Sequence, residues 1–170
     1  MSIHRFFRTP GVPPTRVGAI AATVESVLGG PAGEIATEYC FYVEIGDGML
    51  GSRDLAILRY VLSETFESDR FGTESFLANC FPTVLEYGPR LNFETAWSSA
   101  AVEICRRSGV AAVRRLERSV RVGLSAATDA ERAEELVDAL RDRMTEMRYR
   151  EPLTSFERSE EHTSELQSPY

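Results

Sequence analysis

Five side chains in this sequence have nucleophilic or acid–base character near neutral pH: the thiols of Cys40, Cys80 and Cys105 and the imidazoles of His4 and His162. A thiol hydrolase needs its cysteine on a sharp, glycine-flanked turn with a histidine brought beside it. Cys40 instead falls between Tyr39 and Phe41 in an alternating strand pattern, Cys105 lies in a helical pattern, and Cys80 ends a loop. Cys40 and Cys105 are therefore expected as small buried hydrophobes. Cys80 is the one thiol on which a thiol-enzyme reading can rest. Cysteines scattered singly, without Cys-x-x-Cys, fit a reducing compartment and leave no zinc layout, so no metal site is expected.

The stretch "GPRLNFETAWSS", residues 88–99, is the next candidate. A phosphate cradle needs several glycines, so that backbone N–H groups approach the anion, and usually a lysine behind them. Only Gly88 is present and no lysine follows. Ser98 and Ser99 at a helix start, with Arg90 close by, form one arrangement that holds an anion. In the other reading Thr95 or Ser98 caps the helix and Trp97 anchors it to the core.

Six arginines between 106 and 121 form a third candidate, suited to a phosphorylated ligand. Strand parity sorts them. Leu116, Val120, Val122 and Leu124 share a face with Arg114 and Arg118, while Arg115, Glu117 and Arg121 lie opposite. The mixed face suits pairing with the acidic face of the strand over residues 34–44, or a partner surface. Arg118, among apolar neighbours, is expected to find a carboxylate, since burying a lone charge is costly. No Walker loop, Gly-x-Gly-x-x-Gly or metal-spaced carboxylate cluster is present, so no catalytic, cofactor-binding or metal-ligating residue is assigned.

Eight elements must position these residues. "IHRFFR" reads as a strand before the breaker "TPGVPP". A helix follows with Val17, Ile20, Val24, Val27 and Leu28 on one face, Thr15 as N-cap and Gly29-Gly30 as stop. "EIATEYCFYVEIG" alternates as a half-buried strand, with Ile35, Thr37, Tyr39, Phe41, Val43 and Ile45 on one side and Glu34, Glu38 and Glu44 on the other. "SRDLAILRYVLSETF" is a helix presenting Leu55, Leu58, Val61 and Leu62, followed by a loop from Glu67 to Cys80. "FPTVLEY" is a strand, "WSSAAVEICRRSG" a helix and "VRRLERSVRVGLS" a strand. The closing helix has a Thr128–Glu131 capping box and a stripe of Ala133, Leu136, Val137, Leu140 and Met144. The order is β-α-β-α twice, which predicts an α+β fold of two small units side by side, each sheet covered by helices on one face.

With 170 residues the chain suits one domain, and its formal charge of −7 argues against a nucleic-acid partner. No apolar run approaches a membrane span and the start lacks a signal peptide, so the expected compartment is the cytoplasm. A plastid or mitochondrion is the alternative if a transit segment lies upstream of Met1. The tail "RSEEHTSELQSPY", residues 158–170, has no apolar period and resembles the translation of a sequencing-library adapter; it is expected to be a disordered artefact.

"LEYGPRLNFETAWSSAAVEICRRSGVAAVRRLERS", with "ETFESDRFGTESFL" before it and "DRMTE" after, resembles the phosphoribosylformylglycinamidine synthases of the large, single-chain type. The likeness spans residues 3–157 and corresponds to the N-terminal domain of that family. It implies an assembly domain over residues 1–147 and the start of a linker over 148–157. The implied fold is a pseudo-dimer of two-layer, ferredoxin-like sandwiches, like a fused pair of the small subunit in multi-subunit versions. The implied parent amidates formylglycinamide ribonucleotide with glutamine and ATP in purine biosynthesis, with ATP and Mg held elsewhere. The implied role here is a non-catalytic scaffold between the synthetase and glutaminase domains of the same chain, docking through Arg90, Asn92, Phe93, Trp97, Ser98, Arg115 and Arg118. Ala100 and Arg141 depart from the family's usual polar residue and histidine. A free-standing ferredoxin-like small-molecule sensor is the competing reading.

Overall fold

A computed structural model describes residues 1–63 and 68–157. Strand β1 (Ser2–Arg8) leads to helix α1 (Pro14–Leu28), strand β2 (Ile35–Ile45) and helix α2 (Ser52–Ser63). After a 3-10 turn (Ser68–Arg70) come β3 (Phe71–Gly72), β4 (Thr83–Pro89), α3 (Ala96–Arg107), β5 (Val113–Leu124), α4 (Ala130–Leu140) and β6 (Glu146–Arg148). The alternation read from the sequence is present, with β3 inside the expected loop and β6 beyond the last expected helix. Glu64–Phe66 of the second expected helix, Glu67, and the tail 158–170 lie outside the described residues.

The fold is α+β, but its strands form one antiparallel sheet, ordered β3-β1-β2-β5-β4-β6, and not two. The reason lies in β2 and β5. They pair from Ile35↔Leu124 to Ile45↔Val113, so that each satisfies the edge the other would leave open. The second strands of the two β-α-β-α halves thus meet at the centre, with β1 and β4 flanking them.

All four helices bury residues in one cluster on the same side, here the upper face. Phe6, Tyr39, Phe41, Val43, Leu85, Tyr87, Leu116, Val120 and Val122 meet Ile20, Val24, Leu58, Leu62, Val102, Leu136 and Val137 there. The helices divide into pairs, α1 with α4 and α2 with α3. The lower face is covered without helices. Phe7, Cys40, Tyr42 and Leu91 pack there against Met147, Tyr149, Leu153 and Phe156, with Phe76 beside them. Hence β2 is not half-buried. Only Ile35, Ala36 and Glu44 keep partial exposure, because the segment 149–156 crosses beneath it as a strap. The segment expected to open a linker supplies that strap.

Local signals explain most boundaries and correct some. Gly29 ends α1 in the left-handed conformation, φ 71°, its N–H donating to the Glu25 carbonyl, as the Gly-Gly stop predicts. Thr15 is not the N-cap: Pro14 takes the first helical position, and Pro13 precedes it with no side-chain cap. In α4 the cap is Asp129, whose Oδ1 accepts from the Arg132 N–H at 2.7 Å, replacing the Thr128–Glu131 box. Thr128 is held instead by Thr83, whose Oγ1 accepts its N–H at 3.1 Å. Helix α4 stops at Leu140, so Met144 is 84% exposed and outside the stripe. Asp142 accepts from the Met144 and Thr145 N–H groups, drawing the backbone into a turn in competition with the helix. Leu55 likewise stands 39% exposed, while Leu58 and Leu62 carry the buried face of α2.

Candidate functional site

The stretch 88–99 is a pinned corner between β4 and α3. Gly88 lies opposite Met147 at the β4–β6 pairing, and an added Cβ would sit 2.9 Å from Tyr149 Cζ and 3.0 Å from Ser119 Cβ. The glycine is there because the Tyr149 ring lies on the backbone; that tyrosine donates to the Pro89 carbonyl at 2.7 Å. Arg90 faces the turn after α4: its N–H donates to the Thr145 carbonyl and its Nη2 to the Arg143 carbonyl, both at 2.9 Å. Asn92 and Phe93 are exposed at the tip, Phe93 by 38%. Arg115 reaches beneath them, donating to the carbonyls of Leu91 and Phe93 and resting over the Phe156 ring at 4.7 Å.

Thr95 then caps α3. Its Oγ1 accepts from the Ser98 N–H at 3.0 Å and donates to Glu117 Oε2 at 2.7 Å, while its own N–H donates to Glu117 Oε1. Ser98 is fully buried and its Oγ accepts from the Leu116 N–H at 3.3 Å, tying helix to strand. Trp97 stacks on Phe41 with ring centres 6.0 Å apart. Of the residues singled out in the sequence, Arg90, Asn92, Phe93 and Arg115 therefore gather at the corner, Ser98 is internal, and Trp97 and Arg118 lie on the upper face.

Pairing of the arginine strand with the acidic strand holds. Arg121 stands opposite Glu38 on one side and Glu86 on the other, 3.1 Å from Glu38 Oε1 and 3.8 Å from Glu86 Oε2. Its buried Nε lies off the hydrogen-bonding direction and makes no hydrogen bond. Glu38 also accepts from Ser75 Oγ at 2.6 Å and from the Phe76 N–H at 2.8 Å. Glu86 Oε1 accepts from the Tyr42 and Ser119 hydroxyls, both at 2.6 Å. Burial raises the Glu86 carboxyl above its ordinary pKa, opposed by those two hydroxyls and by Arg121. Burial also pushes the Tyr42 phenol and the Cys40 thiol up, with the Glu86 charge adding to both. Sequence reasoning missed this network's centre, Glu86 with Tyr42 and Ser119. The available signal was parity: Glu86, between Leu85 and Tyr87, shares its face with neither.

Two cavities open beside these groups. One of about 450 Å³ lies on the lower face, walled by Arg5, Glu74, Glu86, Arg121 and the strap around Arg150 and Glu151. The other, about 160 Å³, lies on the upper face above Tyr39, Tyr87 and Arg118. Here the structure corrects the expectation for Arg118. It has no acidic partner among the described residues, and its guanidinium lies over the rings of Tyr39 at 4.5 Å and Trp97 at 4.9 Å. The aromatic faces and the partly open cleft replace the carboxylate. Cys40 and Cys105 are buried as expected, and Cys80 is exposed.

Comparison with known proteins bears on the whole fold. Residues 38–156 match the family described as formylglycinamide ribonucleotide amidotransferase N-terminal. A probable phosphoribosylformylglycinamidine synthase, chloroplastic/mitochondrial, of Arabidopsis thaliana is 35% identical over 162 residues, covering 91% of this chain and 11% of that protein. The phosphoribosylformylglycinamidine synthase of Dictyostelium discoideum is 31% identical over 166 residues, 92% of this chain and 12% of that protein. The Homo sapiens protein of that name is 32% identical over 126 residues, 72% of this chain and 9% of its own length. The chain thus spans about a tenth of the length of the curated relatives it matches. Among the described residues no helix is long and apolar enough to cross a membrane, and no cluster of three or more His, Cys, Asp or Glu is placed to hold a metal ion. The matched span and these relatives show that the chain belongs to the formylglycinamide ribonucleotide amidotransferase N-terminal family.

Proposed function

We propose that this chain is the assembly domain of a longer enzyme that converts formylglycinamide ribonucleotide to formylglycinamidine ribonucleotide with glutamine and ATP, and that it forms no bonds itself. ATP and Mg bind in the synthetase domain, and glutamine hydrolysis occurs in a glutaminase domain of the same chain. The working compartment is the cytoplasm, or an organelle as in the name of the Arabidopsis thaliana relative. The strand order β1-β2-β5-β4 supports reading the two halves as a fused pair.

One observation carries the docking role. The tip bearing Asn92 and Phe93 is exposed, yet its backbone is held by Arg115 from below and by Arg90 from the side. A rigid loop presenting an aromatic ring suits a protein interface, because little freedom remains to be lost on contact. The test uses the complete enzyme. Arg90→Ala and Phe93→Ala should lower glutamine-dependent turnover more than turnover supported by free ammonia; equal losses in both assays count against docking. The cavity of about 450 Å³ favours the sensor as a second reading, since its size is in the range of small-molecule sites. Calorimetric titration of the chain with ATP, glutamine and the ribonucleotide separates the two: silence supports assembly, and micromolar binding supports a sensor.

A further inference from the structure

The upper-face cleft lies above Tyr39, Tyr87, Val120 and Arg118, with Trp97 on one wall and Arg16 on another. Arg118 is only partly buried, and its guanidinium carbon lies 4.5 Å from the Tyr39 ring centre and 4.9 Å from that of Trp97. Its N–H donors have no acceptor among the described residues, and a planar fork without an acceptor is matched by two oxygens of one anion. The rings also hold the fork in place, so little side-chain freedom is lost when a ligand arrives. Neither tyrosine hydroxyl has a hydrogen-bond partner among the described residues. The Tyr87 hydroxyl lies within electrostatic reach of Arg16, Glu146 and Tyr39. Burial pushes its pKa up to about 12, which keeps it a donor at neutral pH.

We propose that this cleft binds a tetrahedral oxyanion, phosphate itself or the terminal phosphate of a larger molecule, with Arg118 as the bidentate contact, Tyr87 as a further donor and Arg16 as the second positive charge. Charge favours phosphate over a carboxylate: Arg118 and Arg16 bring two positive charges to the cleft, and phosphate carries nearly two negative ones at neutral pH. The volume of about 160 Å³ admits the anion but not a nucleotide within the cleft. Two acidic residues also line it. Glu117 is engaged by Thr95 and Arg115. Glu146, whose Oε2 accepts from the Asp142 N–H at 2.8 Å, is the charge that opposes the ligand. Such binding is independent of the assembly role: a chain that never met the remaining domains would still take the anion.

Trp97 is the only tryptophan in the sequence and touches Arg118, so its emission reports the site directly. Inorganic phosphate, titrated into the chain at constant ionic strength against chloride, is expected to give a saturable change in emission, and phosphorus NMR line broadening should follow the same curve. Arg118→Gln should weaken half-saturation about tenfold, the value of one charge-assisted contact. Arg16→Gln should weaken it by a smaller factor, and Glu146→Gln should tighten it. Methyl phosphate separates the two sources: equal binding means the mouth admits an ester, and its exclusion means free phosphate is the ligand. No saturable response to millimolar phosphate overturns the proposal, as does a response unchanged in Arg118→Gln. Should that variant fail to fold, unchanged or reversed shifts in Arg16→Gln and Glu146→Gln overturn it instead.

Discussion

Above the sheet, under the helices, the buried side chains are mainly aliphatic and aromatic and none is charged; below it, covered by residues 73–79 and 149–156, Glu38, Glu86 and Glu117 are buried among tyrosines and arginines. The difference follows from what covers each face. A helix satisfies its own backbone and asks only for an apolar stripe. An irregular strap or loop arrives with spare N–H groups, and the carboxylates accept from them, as Glu38 does from Phe76 and Glu117 from Thr95. The upper core therefore tolerates changes that conserve volume, whereas the lower one fails when a single partner is removed.

The largest expected effect comes from removing the cover. Deleting residues 149–157 strips Tyr149, Leu153 and Phe156, each under a tenth exposed, from the lower face. At roughly 2 kcal/mol for each buried side chain this is most of a small domain's stability, so the shortened chain should be unfolded or molten by near-ultraviolet dichroism. An unchanged denaturation midpoint would show that the strap merely rests on the surface.

Next, Glu38→Ala leaves Arg121 short of its nearer carboxylate, and a loss of about 3–5 kcal/mol is expected in urea unfolding. Leu136→Met, in the upper core, should stay under about 1.5 kcal/mol if volume is the only concern there. Equal losses for the two changes would erase the distinction between the faces. Gly88→Ala crowds Tyr149 and Ser119 and should lose about 1–3 kcal/mol.

A smaller effect concerns pH. The folded-state pKa of Glu86 is raised, so the folded protein holds this proton more tightly than the unfolded chain. Its contribution favours folding at low pH and fades as pH rises from the ordinary glutamate range through the raised folded value. Glu86→Gln should remove that dependence, and the native protein should gain on this variant as pH falls across the window. A difference that stays flat with pH would refute the burial effect. Smallest of all, Glu103→Ala breaks exposed pairs with Arg106 and Arg107 and should change stability by less than about 0.5 kcal/mol.

Much of the upper layer was legible in the sequence, because amphipathic periods in α1 and α4 and alternation in β2 and β5 are local properties. The same alternation fixed which arginines share a face. Three things were not legible. The single sheet joined by β2 and β5 spans segments about eighty residues apart: opposite charges suggested that the two strands pair, but nothing in either said that the two halves share one sheet. The strap places Tyr149, Leu153 and Phe156 at i, i+4 and i+7, a helical spacing, yet forms no helix, so its burial is set by the groove that receives it. Arg118 sent a misleading signal: a cation among apolar neighbours asks for a counter-charge, and the aromatic surfaces that receive it come from β2 and α3. Of the corner, the cap could be narrowed to Thr95 or Ser98, of which the structure takes Thr95, while the hold of Arg115 on its carbonyls could not be read.

The strap has a consequence for how the protein is born. Synthesis runs from the N-terminus, so β1, β2, β4 and β5 are all made before Phe156 exists. A released chain ending at residue 148 would carry a sheet covered by helices on one side and lacking its strap on the other. The uncovered side bears Glu86, flanked by Glu38 and Glu117 already held by residues 75–76 and by Thr95, and these carboxylates keep the unfinished face polar and unattractive to its neighbours. The carboxylates that make the folded domain fragile to single substitutions are thus the ones that keep its lower face wet until Phe156 arrives.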